Sequence, residues 1–334
     1  MLAVLLVACA PQGSFRLTDE PDPTTFPATT EPTPDPTDPT LPTVPTDPTD
    51  TGTVVTLPFD CAALPATGTF LANLDYVPTF EDFTFSEDGY LWGISVDDAA
   101  LSRTPYGGPA ELLHPALSGY PRGTRFLPEG DLVFVDYPNN AMLRIDRDTY
   151  EVELLNGALS SPNGIAIGDD GFIYLSQGVG DVLRIDPVTG DATILVESPV
   201  SNDGITFSPD YRTLFINSDM TGDFLSLGVD AAGAVTSPLA LFATLPGPSD
   251  GMVMDACGNA YVTQFFPPAI VRVRTDGTVE PFIVLPVGQT IVAANFGTGV
   301  GGWGKTHLFL SDLDDGMLEY DVGVYGKWEP HLPR

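Results

Sequence analysis

Along this chain a polar residue opens a short apolar strand, a glycine-bearing turn follows, and a second strand rich in aliphatic and aromatic residues returns. The unit recurs about every forty residues. It reads EDFTFSEDGYLWGIS from Glu81, PRGTRFLPEGDLVFVD from Pro121 and PNGIAIGDDGFIYLSQ from Pro162. It returns as NDGITFSPDYRTLFINSD from Asn202, SDGMVMDACGNAYVTQ from Ser249 and, less regularly, ANFGTGVGGWGKTHLFLSD from Ala294. Six strand–turn–strand copies at one period predict an all-β fold, a six-bladed β-propeller with one blade per copy. The segment TFLANLDYV, Thr69 to Val77, is expected to complete the last blade and close the ring, which removes exposed sheet edges. The glycine run ending at Lys305 reads as a long turn inside blade six, because it lacks the strand-to-helix context of a phosphate loop.

Stacking the repeats aligns their polar groups. Stepping back eight places from the turn glycines Gly89, Gly130, Gly171 and Gly258 reaches Glu81, Arg122, Asn163 and Asp250. In the fourth repeat, where SPDYRT reads as a longer turn, alignment gives Asp203; in the irregular sixth, Asn295 is the nearest candidate. Each of these residues is expected at the mouth of the central channel, on the first strand of its blade. Four of the six positions carry oxygen donors where apolar residues are the default. Carboxylates converging on one axis repel and raise each other's pKa values unless a counter-ion is present. A hard divalent cation resolves that conflict, with Ca²⁺ suited better than Mg²⁺ or Mn²⁺. No His or Cys belongs to the set, which argues against zinc. The competing reading is that Asp and Asn open strands as turn and capping residues. Arg122, the cationic member, is offered either to a substrate carboxylate or hydroxyl or to a neighbouring acidic side chain.

The phrases SPNGIAIGDDGFIY, SNDGITFSPDYRTLF and SDGMVMDACGNAYV, with Glu81 heading the first blade, resemble the gluconolactonase, senescence-marker-protein and luciferin-regenerating family. The paraoxonases are more distantly similar. The resemblance runs over roughly Thr69 to Tyr325. It implies a central divalent metal held by a Glu, two Asn and an Asp, which map to Glu81, Asn163, Asp203 and Asp250. The fourth blade departs from the family pattern, since Ser-Asn-Asp-Gly stands where Ser-Asn-Gly is usual; either Asp203 replaces the amide or a bulge brings in Asn202. The activity implied is metal-dependent hydrolysis of a small lactone or ester, with Asp250 activating water. The arginine that sugar-acid lactonases place before the third-blade asparagine is absent, that position being Ser161. No paraoxonase-like histidine pair is present, and His114, His307 and His331 read as surface or satisfied histidines. Two other classes stay open: a non-catalytic metal-stabilised propeller that binds a protein or glycan, and a strictosidine-synthase-like propeller.

The first sixty residues differ in kind. Residues 17–53 are almost all Thr, Pro, Asp and Glu, without apolar periodicity, and read as a solvated spacer. At ~3.1 Å per residue its reach is on the order of 100 Å. MLAVLLVACA resembles a lipoprotein signal with Cys9 as the lipidated residue, although no basic region precedes the apolar run. The expected organisation is a signal over 1–8, a spacer over 9–60 and the propeller over 61–334. The expected location is the bacterial cell envelope, as a lipid-anchored, monomeric protein. Cys61 and Cys257 then form an expected disulfide in an oxidising compartment. The formal charge of −32, from 13 basic and 45 acidic residues, excludes nucleic acid as a partner because no basic stripe is available to neutralise phosphates.

Overall fold

The computed structural model describes residues 59–333 apart from 116, 118, 119 and 315. The expected signal, spacer and Cys9 lie outside the described residues. Six four-stranded antiparallel sheets form the blades, and in the first five the strands follow sequence order from the axis outward. The innermost strands are Phe80–Phe85, Pro121–Phe126, Pro162–Ile167, Ile205–Phe207, Ser249–Met254 and Ile291–Phe296. Each touches the next around the ring, and the sixth returns to the first. The outer strand of blade six is Thr69–Asn73, paired antiparallel with Gly316–Asp321, so the chain's first described strand closes the ring as the sequence pattern predicts.

Burial explains why the repeat is legible. Second strands such as Leu132–Asp136 and Ile173–Gln177 are covered on both faces by neighbouring blades and are buried throughout. They therefore read as continuous apolar runs rather than alternating ones. The outermost strands, such as Ala192–Glu197, are largely exposed and carry a weaker signal. Among the described residues the apolar core divides into six clusters, one between each neighbouring pair of blades. Trp303, in the long turn of blade six, is fully buried there against Phe85 and Phe309, and its indole N–H donates to the Gly89 carbonyl. It packs the blade.

The turn after the first strand holds its glycine at positive φ in four blades, at Gly89, Gly130, Gly171 and Gly258. In blade four Tyr211 adopts the same left-handed backbone at φ 58°. The SPDYRT turn is thus no longer than the others; it joins Phe207 to Thr213 as the blade-three turn joins Ile167 to Ile173. The tyrosine that replaces glycine is buried, and its hydroxyl donates to the Trp328 carbonyl. Trp328 belongs to a C-terminal segment lying across the far ends of the inner strands. There the Lys327 N–H donates to Met254 O at 2.9 Å, and a ring nitrogen of His331 meets Phe85 O at 2.8 Å.

Cys61 and Cys257 form the expected disulfide, with a Cα–Cα distance of 5.6 Å. It ties the segment before the first blade to the turn of the fifth across 196 residues of sequence. Cross-linking so long a loop removes much denatured-state freedom. Replacing Cys257 with Ala should lower stability by about 2–5 kcal/mol in urea unfolding, and reductant should have no further effect on the variant.

Candidate functional site at the channel mouth

Five of the inner strands break register at the same place. The irregularity lies between Phe80 and Phe83, Arg122 and Thr124, Pro162 and Ile165, Ser249 and Met252, and Ile291 and Ala293. A bulge interrupts the ladder and re-aims the side chain it carries. Here it carries Glu81, Arg122, Asn163 and Asp250, while Asp203 occupies the same place just before the strand of blade four. In blade six the register gives Val292 instead. Asn295 is a correction to the sequence alignment: it lies three places deeper, and its amide donates to the Phe83 carbonyl between two inner strands. The turn of the irregular repeat holds several glycines, including Gly299, Gly301 and Gly302 at positive φ, so no single one marks where to count from.

The residue after the bulge is glycine in four successive blades, because the next blade's backbone occupies the space of a side chain. A Cβ on Gly123 would lie 2.4 Å from Asn163 O, on Gly164 2.6 Å from Asp203 O, on Gly204 2.7 Å from Asp250 O and on Gly251 2.6 Å from Val292 O. Hydrogen bonds fasten the same carbonyls from the adjacent second strands. The Ser176 hydroxyl donates to Asp203 O, the Asn217 amide to Asp250 O at 2.7 Å and the Thr263 hydroxyl to Val292 O at 3.2 Å. Asp203 and Asp250 are therefore each held by their own blade and by the preceding one. Asn202 is excluded from the site: it is fully buried, its amide donates to Gly180 O at 2.8 Å, and its oxygen accepts from Ser198. Asp203 is the fourth-blade residue at the axis.

Glu81, Asn163, Asp203 and Asp250 line one axial cavity of about 30 Å³, together with Gly164, Gly204, Gly251 and Val292. A single water needs ~10–15 Å³, so the space suits one ion or one or two waters. Burial pushes the Asp203 carboxyl up to about 7 against the opposing pull of Arg122. Burial, then repulsion from Asp203 and Glu81, raises Asp250 well above the usual carboxylate range. Of the two, Asp250 resists ionisation more strongly, because the charges of both Asp203 and Glu81 oppose it on top of burial. Glu81 is also raised by burial, against the opposing effects of the Arg122 charge and the hydrogen bond from Tyr120. The Tyr120 hydroxyl donates to Glu81 Oε2 at 3.0 Å; burial and the Glu81 charge push that phenol up to about 12, so it stays a donor.

The four donors supply oxygen alone, which suits a hard cation. No group of three or more His, Cys, Asp or Glu able to hold a metal ion occurs among the described residues. The site's capacity thus rests on the Asp203–Asp250 pair with the Asn163 amide, Glu81 being engaged by its two neighbours. A bound cation would relieve the repulsion among these buried carboxyls, and the residues fit it in that sense. Tyr120 and Tyr137, on which Arg122 stacks, were not visible to repeat counting because they stand in connectors between aligned strands. Asp219 was missed for the same reason; it follows the second strand of blade four, and its charge raises Asp203. His114, His307 and His331 are all absent from the cavity lining.

Fold and site together define a six-bladed propeller whose axial cavity is lined by Glu81, Asn163, Asp203 and Asp250, by the Asp82–Arg125 ion pair and by apolar side chains such as Ile205 and Met252. Residues 174–310, from the second strand of blade three to that of blade six, match the family described as SMP-30/Gluconolactonase/LRE-like region. No curated protein matches the sequence. Among solved structures, a gluconolactonase from Xanthomonas campestris is 19% identical, with TM-score 0.66, over 78% of this chain and 91% of its own. The calcium-binding protein regucalcin from Agrobacterium tumefaciens is 20% identical, with TM-score 0.66, over 81% of this chain and 100% of its own. A luciferin-regenerating enzyme is 13% identical, with TM-score 0.63, over 80% of this chain and 99% of its own. The family resemblance read from the sequence is thereby shown, and the propeller fold is shared across these structures.

Two outcomes follow from this geometry. Carboxyls raised in the folded state favour folding below their unfolded pKa, and that contribution is lost as pH rises through the folded value. In chelator, thermal stability should therefore fall between about pH 4 and pH 7 and beyond, and Asp203→Asn should flatten that slope. Gly164→Ala should cost about 1–3 kcal/mol, read by denaturant unfolding, because the added methyl meets Asp203 O.

Proposed function

We propose that this chain is a lactonase-type hydrolase of small lactones or esters that uses one divalent cation, with Ca²⁺ the expected ion. The observation that carries the reading is the convergence of Asp203, Asp250, Asn163 and Glu81 on one small axial cavity. The family match over residues 174–310 supports the lactonase class. Asp203, Asp250 and Asn163 would hold the cation, with Glu81 completing the lining. When bound, the cation would polarise a substrate carbonyl and stabilise the oxyanion that forms on it.

Asp250 is the proton acceptor of this reading. Its position among carboxyls already draws a proton to it, and in hydrolysis that proton would come from the attacking water. Tyr120 remains a donor beside Glu81 and fixes that carboxylate on its own side of the mouth. The backbone fastening of Asp203 and Asp250 keeps the reacting groups from reorganising as charge develops.

A second reading, a non-catalytic cation-stabilised binding propeller, is favoured by the engagement of Glu81 with Tyr120, which leaves fewer free donors. We also propose a location outside the cytoplasm, which the Cys61–Cys257 disulfide supports because such bonds persist in oxidising compartments. The deciding experiment is turnover of a panel of γ- and δ-lactones and aryl esters by the full chain, in chelator and with Ca²⁺ restored. The hydrolase reading expects chelator-sensitive turnover and a loss of about 100-fold or more in kcat for Asp250→Asn. Cation binding without turnover on any member would leave the binding propeller.

A further inference from the structure

The axial cavity has room for an ion or one or two waters, so the ring of even a small lactone does not fit inside it. A substrate whose carbonyl reaches the cavity keeps its remaining atoms on the rim. That rim is built from the turns between second and third strands and from the connectors leading to the next blade. Each second strand ends beside the start of its inner strand, as in the pairings of Gln177 with Pro162 and Gln264 with Ser249. Hydrogen bonds tie the turns themselves to the segments that carry Asn163 and Asp250. The Gly178 N–H donates to Ser161 O at 2.8 Å, the Ser249 hydroxyl to Ser218 O at 3.2 Å and the Phe265 N–H to Pro248 O at 3.3 Å.

The turns divide into two halves. In blade three the turn carries Val179, 62% exposed, in blade four Met220, 73% exposed, and in blade five Phe266, 78% exposed. Val287, in the connector from blade five to blade six, extends this half and is 93% exposed. The turns of blades six, one and two present Asp314, Asp97 with Asp98, and Asn139 with Asn140 to solvent. Among the described residues those three turns expose no large aliphatic or aromatic side chain. A single exposed apolar residue is ordinary, but here three consecutive blades have apolar turns and the other three have polar ones. The apolar half belongs to the blades that supply Asn163, Asp203 and Asp250 to the cavity.

We propose that Val179, Met220 and Phe266 form a specificity surface that receives an apolar substituent of the substrate, so that alkyl- or aryl-substituted lactones and esters are preferred over polyhydroxylated ones. This rests on the hydrolase reading above and names its substrate class. With the carbonyl directed at the cavity beside Asp203 and Asp250, a substituent on the ring extends over one half of the rim. A hydrocarbon chain laid over the apolar half releases water from both surfaces, whereas the carboxylates and amides of the other half keep theirs. The hydroxyls of a sugar-acid lactone facing Val179, Met220 and Phe266 would lose hydrogen bonds to water without replacement. The rim thus selects by substituent polarity and sets the direction in which the ring lies.

The test uses the full chain with Ca²⁺ and a series of γ-lactones whose alkyl substituent grows from methyl to octyl, with a polyhydroxylated δ-lactone for comparison. Cyclopentanones carrying a methyl or an octyl group, which keep the carbonyl ring but have no ester bond, read binding by calorimetry without turnover. The expected result is a kcat/KM that rises about twofold per methylene, since a chain on an open surface loses only part of its contact with water. Met220→Ser combined with Phe266→Ser should lower kcat/KM for the octyl lactone on the order of tenfold more than for the methyl one. Octylcyclopentanone binding should weaken in parallel. Val188→Ser, an equally exposed apolar residue in a turn between third and fourth strands, should leave the chain-length dependence unchanged. Turnover without chain-length dependence, preference for the polyhydroxylated lactone, or a dependence that survives the double variant overturns the specificity surface. If the variant instead lowers co-sedimentation with phosphatidylcholine vesicles and leaves octylcyclopentanone binding intact, the apolar half faces lipid and the substrate role is overturned. Absence of turnover on every lactone overturns the hydrolase reading alone when octylcyclopentanone still binds more tightly than its methyl counterpart and the double variant abolishes that difference.

Discussion

The closeness of neighbouring inner strands is the constraint on which the rest of this propeller depends. Four consecutive blades bring a backbone carbonyl to within 2.4–2.7 Å of where a side chain would begin, so glycine follows each site residue there. The hydroxyls and amide of Ser176, Thr263 and Asn217 then fasten those carbonyls from the blade before. A site residue held by two blades has little freedom to relax. That rigidity lets like charges stand together, because the carboxyls cannot separate without breaking the ring's own hydrogen bonds.

Electrostatic conflict is the second theme, and the molecule answers it in several ways. Burial and mutual repulsion hold Asp203 and Asp250 toward their neutral forms, Glu81 accepts from the Tyr120 hydroxyl, and the Arg122 guanidinium stands beside Glu81. These arrangements keep buried charge tolerable within a cavity too small for more than an ion or a water or two. They also leave a site whose charge, size and donor chemistry are complementary to a hard cation.

The two ends of the channel are built from different parts of the chain. The mouth is made of repeat-equivalent bulges and is charged. Across the far end, residues outside the repeats cap the inner strands through Lys327, Trp328 and His331. Closure of the circle itself uses the segment Thr69–Asn73 against Gly316–Asp321, and the disulfide adds a covalent tie from Cys61 to blade five. Chain ends that would otherwise expose sheet edges are thus absorbed into the ring.

Much of this was legible in the amino-acid sequence because a propeller repeats one local problem. The turn glycines, the covered second strands and the polar residue eight places before each glycine all recur, and counting from them located Glu81, Asn163, Asp203 and Asp250 on one cavity, with Arg122 at the equivalent bulge of blade two. Counting failed where a repeat lacked its marker. Tyr211 supplies the left-handed backbone in place of glycine in blade four, and the long turn of blade six shifted attention to Asn295 instead of Val292. The sequence by itself determined the blade number, the ring of site positions and the cysteine pair. Only the tertiary structure decided that Asn202 turns away while Asp203 faces the axis, that Tyr120 donates to Glu81, and that Arg122 stacks on Tyr137. Those choices depend on distances between residues in different blades and their connectors, and a local repeat pattern carries no information about distances across the ring.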